Sequence, residues 1–240
     1  SVHEAESEAR LDEMIRASEA RWGVRKQRQG TSGFWVAPSG LNSSRVWPEV
    51  VEGTGLACIL FTSGTTGPPK AVEVTRLGLS NHLAFISEQS LYALDTRLIV
   101  SATPAFDGIL EEFYGTLGFG ATVVFLREMA LQSIQHFGLE LIERRISILC
   151  CNTLLWTEWM RSPAFELPPT LRTVNVGGDR LEPALVSQWH AKCAEKQQEV
   201  RFLNGYGPTE TSVTCSVHVI GPDSLRPGGI PIGRPEWNVR

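Results

Sequence analysis

The stretch Phe61-Thr62-Ser63-Gly64-Thr65-Thr66-Gly67-Pro68-Pro69-Lys70 follows directly on the apolar run Leu56-Ala57-Cys58-Ile59-Leu60. A strand that runs into a loop of hydroxyls, glycines and a lysine suits the handling of phosphate. Glycines let the backbone approach an anion, while N–H groups, hydroxyls and a cation donate to it. The spacing is not that of a Walker A loop, which ends in Gly-Lys followed by Ser or Thr. Here two prolines precede Lys70 and Ala71 follows it.

Outward from this stretch, β and α patterns alternate. Strands are predicted over 56–61, 97–101, 121–126, 146–151, 172–176 and 199–203, and one more over 214–220. Helices are predicted over 77–90, 108–117, 131–144, 153–161 and 183–197. This alternation indicates an α/β fold with largely parallel sheets flanked by helices. Ligands in such folds sit outside the carboxyl ends of the strands. Upstream, residues 4–22 read as an amphipathic helix. Residues 26–54 read as loop with a short strand around Phe34–Val36. Trp156, Trp159 and Trp189 lie on predicted helices, where packing is their expected role.

A second motif, Asn204-Gly205-Tyr206-Gly207-Pro208-Thr209-Glu210, lies well downstream of the first. Together the two resemble the phosphate loop and the Tyr-Gly-Pro-Thr-Glu signature of adenylate-forming enzymes. That superfamily includes acyl-CoA ligases, luciferases and nonribosomal peptide synthetase adenylation domains. Asn175-Val176-Gly177-Gly178-Asp179 and Pro231-Ile232-Gly233-Arg234-Pro235 resemble two further segments of the family, in the same order. The resemblance implies ATP and Mg²⁺ as reactants at the site. Thr62, Ser63, Gly64, Thr65, Thr66, Gly67 and Lys70 would hold the leaving phosphates. Gly177, Gly178, Asp179, Asn204, Gly205 and Tyr206 would surround the adenine. Thr209 would donate to the α-phosphate, and Glu210 would hold the metal. Lys70, Thr209 and Glu210 are thus the expected catalytic residues.

Phe106-Asp107 resembles the pair whose aspartate meets the substrate ammonium in amino-acid-activating members. An Asp at a helix start also suits an N-cap. Carrying the family's pocket over by alignment gives Asp107, Gly108, Glu111, Cys150, Val174, Val176, Gly205, Val213 and Thr214. A buried carboxylate at Glu111 would need a partner. Either a substrate with a cationic or donor-bearing end supplies it, or Glu111 points to solvent.

The resemblance implies a fragment, residues 1–240, of the large N-terminal subdomain of the adenylate-forming fold. The sequence stops at Arg240, before the ribose-binding aspartate and the lysine-bearing C-terminal subdomain that relatives carry. Its implied function is activation of an amino acid to an aminoacyl-AMP. The acceptor would be the phosphopantetheine thiol of a carrier protein, among neighbouring synthetase domains. The alternatives are a non-catalytic scaffold and a carboxylic-acid:CoA ligase.

Composition narrows the partners. Lys and Arg total 22 against 26 Asp and Glu, a net charge of −4 with no basic stripe, which argues against nucleic acid or an anionic membrane. No apolar run is long enough to span a bilayer. Five cysteines without CxxC spacing suit reduced thiols and a cytoplasmic location, and the scattered histidines do not suit zinc.

Overall fold

Thr173-Val174-Asn175-Val176-Gly177 forms the middle of a seven-stranded sheet. The computed structural model describes residues 24–26, 34–36, 55–62, 69–225 and 229–239. The helix expected over 4–22 and loop residues Ser63, Gly64, Thr65, Thr66 and Gly67 lie outside them.

In chain order, β1 (Val24–Lys26) pairs antiparallel with β2 (Phe34–Val36), where a short strand was expected. Next, β3 (Leu56–Thr62) turns back antiparallel on β4 (Lys70–Thr75). The first expected strand therefore belongs to a separate two-stranded hairpin, not to the parallel sheet. Its partner β4 was not predicted, although Val72 and Val74 are buried between exposed neighbours in a clean alternation.

Helix α1 (Arg76–Gln89) follows, its first turn capped by the Thr75 hydroxyl, which accepts from Gly78 N at 3.1 Å. Strand β5 (Arg97–Val100) leads to a π-helical turn, Leu110–Gly115, that runs on into the short α2 (Thr116–Gly118). After β6 (Thr122–Phe125), the helix expected over 131–144 is two: α3 (Glu128–Gln132) and α4 (Ile134–Glu143). Ser133 is extended, with φ −150° and ψ 127°, and breaks them apart. The remaining order is β7 (Ile148–Asn152), α5 (Thr153–Arg161), β8 (Thr173–Gly177), α6 (Pro183–Glu195), β9 (Arg201–Tyr206), β10 (Ser216–Ile220) and β11 (Arg234–Pro235).

The sheet order is β11-β10-β9-β8-β7-β5-β6. Strands β6, β5, β7, β8 and β9 are mutually parallel, and β10 and β11 close one edge antiparallel. Strand β9 continues to Tyr206, so Asn204 and Gly205 sit on the strand rather than beyond its end.

Side chains alternate across this sheet, and the alternation divides it into two unlike faces. One face carries Leu149, Val174, Val176 and Phe202 into a core with Trp156, Trp159 and Trp189. The three indoles are at most 1 % exposed, and Trp189 has ring centroids 6.3 Å from Trp156 and 6.1 Å from Trp159. Packing is thus the role of all three. On the other face Cys150, Asn175 and Leu203 stand side by side in register, and α1 covers part of it through Phe85 and Ile86.

Candidate functional site

At the carboxyl ends of β7, β8 and β9, the second face opens into a cavity of about 300 Å³. Cys150, Asn175, Gly177 and Gly205 form its sheet wall. Asp107, Gly108, Glu111 and Glu112 come from the segment after β5, and Thr209, Val213 and Thr214 from the turn between β9 and β10. The glycines make this convergence possible. A Cβ on Gly207 would lie 2.5 Å from Thr214 Cα, and one on Gly177 would lie 2.9 Å from the Gly205 carbonyl oxygen.

Two consecutive carboxylates face inward from the π-helical turn, a distortion that often marks functional sites. Glu111 is 4 % exposed and Glu112 2 %. Glu112 accepts from the N–H groups of Ser101 and Ala102, each at 2.9 Å, and from the Ser101 hydroxyl at 2.8 Å. Burial nonetheless outweighs these donors and pushes its carboxyl up to about 8. Glu112 therefore clamps the backbone where β5 ends.

Glu111 has a different set of partners. Its Oε1 accepts from Asn175 Nδ2 at 2.7 Å and from the Cys150 thiol at 3.0 Å. His82, on α1, places Nε2 3.4 Å from Glu111 Oε2, an ion-pair distance that is long for a hydrogen bond. The opposite ring nitrogen, Nδ1, lies 3.1 Å from Glu236 Oε1. Thr214 also donates to that Glu236 oxygen. All three ionisable side chains are nearly sealed from solvent. A neutral imidazole has only one N–H, so a ring held between two carboxylates is matched only when doubly protonated. Burial opposes that charge, but the two glutamates prevail and raise His82 to about 9. The same imidazolium lowers Glu111 against its own burial. Glu111 thus neither points to solvent nor waits for a partner, because α1 supplies one.

Asp107 is half-buried and caps no helix: the π-helical turn begins with Ile109 at its cap position and no side-chain cap. Its Oδ2 accepts from Thr209 Oγ1 at 2.6 Å. Burial raises the Asp107 carboxyl, and the Thr209 hydroxyl partly offsets the rise.

Ser212 and Val213 both have left-handed backbones, with φ of 65° and 80°. That geometry is strained for a β-branched residue. It turns Val213 into a cluster with Leu60, Val74 and Leu110, which joins the β3–β4 hairpin to the cavity. At the end of that hairpin Thr62 and Lys70 are cross-strand partners, and Lys70 is exposed.

Other sequence-predicted residues fall less simply. Val174 and Val176 do not line the cavity. Both are wholly buried on the opposite face, and the residue that β8 turns inward is Asn175. Because strand side chains alternate, an alignment one residue out of step exchanges the faces. Gly177 and Gly178 do reach the cavity, and Gly178 has φ +93°. Asp179 is exposed, and its Oδ1 accepts from Arg180 N at 2.7 Å. Asn204 faces away with its Nδ2 donating to the Pro231 carbonyl at 2.8 Å. Tyr206 stands half-exposed at the strand end, and Glu210 is exposed on the short 3-10 turn Thr209–Thr211. Sequence reasoning missed His82, Glu236, Asn175 and the lining role of Glu112. Only Asn175 leaves a local trace, as an amide inside an apolar strand. Among the described residues no group of three or more His, Cys, Asp or Glu side chains could hold a metal ion by itself.

The AMP-binding enzyme family matches residues 3–240. Isonitrile lipopeptide synthase of Streptomyces coeruleorubidus is 35 % identical over 183 residues, which cover 75 % of this chain and 12 % of that protein. Tyrocidine synthase 3 of Brevibacillus parabrevis is 29 % identical over 185 residues, 77 % of this chain and 3 % of the relative. Among solved structures, PA1221, an NRPS protein containing adenylation and PCP domains, superposes with a TM-score of 0.77 at 25 % identity. That superposition covers 95 % of this chain and 46 % of PA1221. The chain therefore spans a small part of these sequence relatives and under half of the structural one.

Proposed function

The chain belongs to the AMP-binding enzyme family, and on that premise we propose that it activates an amino acid with ATP as part of a nonribosomal peptide synthetase. An oxygen of the amino-acid carboxylate attacks the α-phosphorus of ATP, and pyrophosphate leaves. The acyl group of the resulting aminoacyl-AMP would then pass to the phosphopantetheine thiol of a carrier protein as a thioester, with AMP as the leaving group.

The observation that carries this reading is the 2.6 Å contact between Asp107 and Thr209. The ammonium and carboxylate of an α-amino acid share one carbon. An ammonium paired with Asp107 brings the carboxylate beside Thr209, the residue assigned to the α-phosphate. Two anions that repel in water are thereby held in reacting order. Asp107 accepts the ammonium in place of the Thr209 hydroxyl, and Thr209 is released to donate to phosphate.

Around this pair the other roles follow the motifs. Thr62 and Lys70 flank the phosphate loop and steer the leaving pyrophosphate. The half-exposed Tyr206 ring gives adenine a surface to stack on, with Gly177, Gly178 and Asp179 at the end of the neighbouring strand, and Asn204 preceding it on β9. Glu210, a single exposed carboxylate next to Thr209, fits Mg²⁺, which takes one or two carboxylates together with substrate phosphates. When bound, the metal neutralises phosphate charge.

Binding of non-hydrolysable acyl-adenylate analogues to the chain tests the proposal. Aminoacyl forms should bind at least about tenfold more tightly than their des-amino counterparts, and Asp107→Ala should erase that margin. Equal binding of both forms by the wild type would favour a carboxylic-acid:CoA ligase. Binding of neither would favour a non-catalytic scaffold.

A further inference from the structure

We propose that His82, a residue that does not line the cavity, determines which side chains the pocket accepts: by engaging Glu111 from behind, it makes the pocket one for an uncharged side chain. The inference rests on the amino-acid reading above and concerns the far end of the same site.

Glu111 is the wall residue that would otherwise attract a cation. One of its oxygens is already saturated and the other already faces a cation. Oε1 takes two donors, Asn175 at 2.7 Å and Cys150 at 3.0 Å, while Oε2 faces the His82 ring at 3.4 Å. A substrate ammonium reaching this wall would lose its water and compete with the imidazolium already paired with Glu111, while the second carboxylate lies behind the ring. Glu236 is the second carboxylate on His82, and it lies on the far side of the imidazole, held by Thr214. Neither His82 nor Glu236 lines the cavity. Asp107 is reserved for the substrate's α-ammonium, and the Glu112 carboxyl is spent on Ser101 and Ala102. What remains on the floor is Cys150 and Asn175, whose donors are spent on Glu111, beside the glycines Gly108 and Gly205. Such a surface suits a neutral side chain.

Replacing the imidazolium by a neutral amide reverses the balance. Glu111 then lies buried with no cation, and a positively charged side chain is the partner that restores it.

The test uses aminoacyl-adenylate analogues in matched pairs that differ by one ammonium: L-norvaline against L-ornithine, and L-2-aminobutyrate against L-2,4-diaminobutyrate. Their affinities are measured for the wild-type chain and for His82→Asn, whose folding is checked by thermal unfolding. The wild type is expected to favour the neutral member of the better-binding pair by about tenfold or more. His82→Asn is expected to move that ratio toward the cationic member by at least about tenfold. A wild type that prefers the cationic member overturns the inference, as does an unchanged ratio in folded His82→Asn. If His82→Asn does not fold, ¹⁵N-resolved NMR of wild-type His82 decides. Both ring nitrogens should be protonated near neutral pH, and a neutral ring there overturns the inference. Loss of preference for aminoacyl over des-amino analogues in the wild type would instead sink the amino-acid reading itself, whatever the state of His82.

Discussion

The two faces of the central sheet are built from the same strands by opposite means. Val174 and Val176 enter a dry core of three tryptophans, whereas Asn175, between them, enters a web of side-chain hydrogen bonds and charges. The dry face is held by area and shape, which many residues share and no single proton controls. On the wired face each group is specified by its neighbour: Glu111 by His82, His82 by Glu236, and Glu236 by Thr214. Burial without partners would be costly there. One face thus tolerates changes of condition, and the other is sensitive to them.

The largest test of this contrast is on the dry face. Trp189→Ala removes a fully buried indole and should lower unfolding stability by ~3–5 kcal/mol, read from chemical denaturation. The loss should be the same at acid and alkaline pH. A loss that depended strongly on pH would end the distinction.

His82→Leu comes next and should behave in the opposite way. The folded state raises His82 from 6.5 to about 9, which is worth roughly 3 kcal/mol at about 1.4 kcal/mol per pH unit. Because the folded value is the higher one, this stabilisation is complete below about 6.5 and is lost as pH rises through about 9. The penalty of His82→Leu should therefore be near its full size in mild acid and small in strong alkali. Denaturation series across that range provide the check, and a penalty that does not vary with pH would show that His82 is held by packing alone.

A smaller effect is expected from Asn175→Val, which extends the apolar pattern of β8 onto the wired face. It removes one of the two donors to Glu111 Oε1 and should cost ~1–2 kcal/mol despite the gain in hydrophobicity. A stabilised Asn175→Val would mean that the amide is dispensable. Least of all should Glu210→Gln affect folding, since Glu210 is exposed. Its stability should stay within ~0.5 kcal/mol of wild type, while Mg²⁺-dependent nucleotide binding, measured by titration, should weaken. Unaltered metal dependence would remove Glu210 from the metal site.

What could be read from the sequence follows the same division. Helices α1, α5 and α6, and the parallel strands β5 to β9, were visible because local periodicity marks them. The packing role of the tryptophans was visible for the same reason. Strand β4 was missed because its alternation rests on Val72 and Val74 alone, in six residues that follow a loop of glycines and prolines. The pocket positions Asp107, Gly108, Glu111, Cys150, Gly205, Val213 and Thr214 all reach the cavity. The error at Val174 and Val176 is one residue, yet on a strand one residue changes the face. His82 and Glu236 were beyond local reading. Nothing near residue 82 announces a partner 154 positions later.

That separation also bears on the order in which the molecule can assemble. The hairpin β3–β4, the turn at Glu112 and helix α1 close over short stretches of chain, so they can form early. The Thr209–Asp107 contact spans 102 residues and the Glu236–His82 contact 154. On a ribosome, a nascent chain that has reached β9 already holds His82 and Glu111 but still lacks their third member. The imidazolium then has one carboxylate instead of two. The stretch that runs from β9 to Glu236 therefore seals the site, and selectivity is acquired after the local elements have formed.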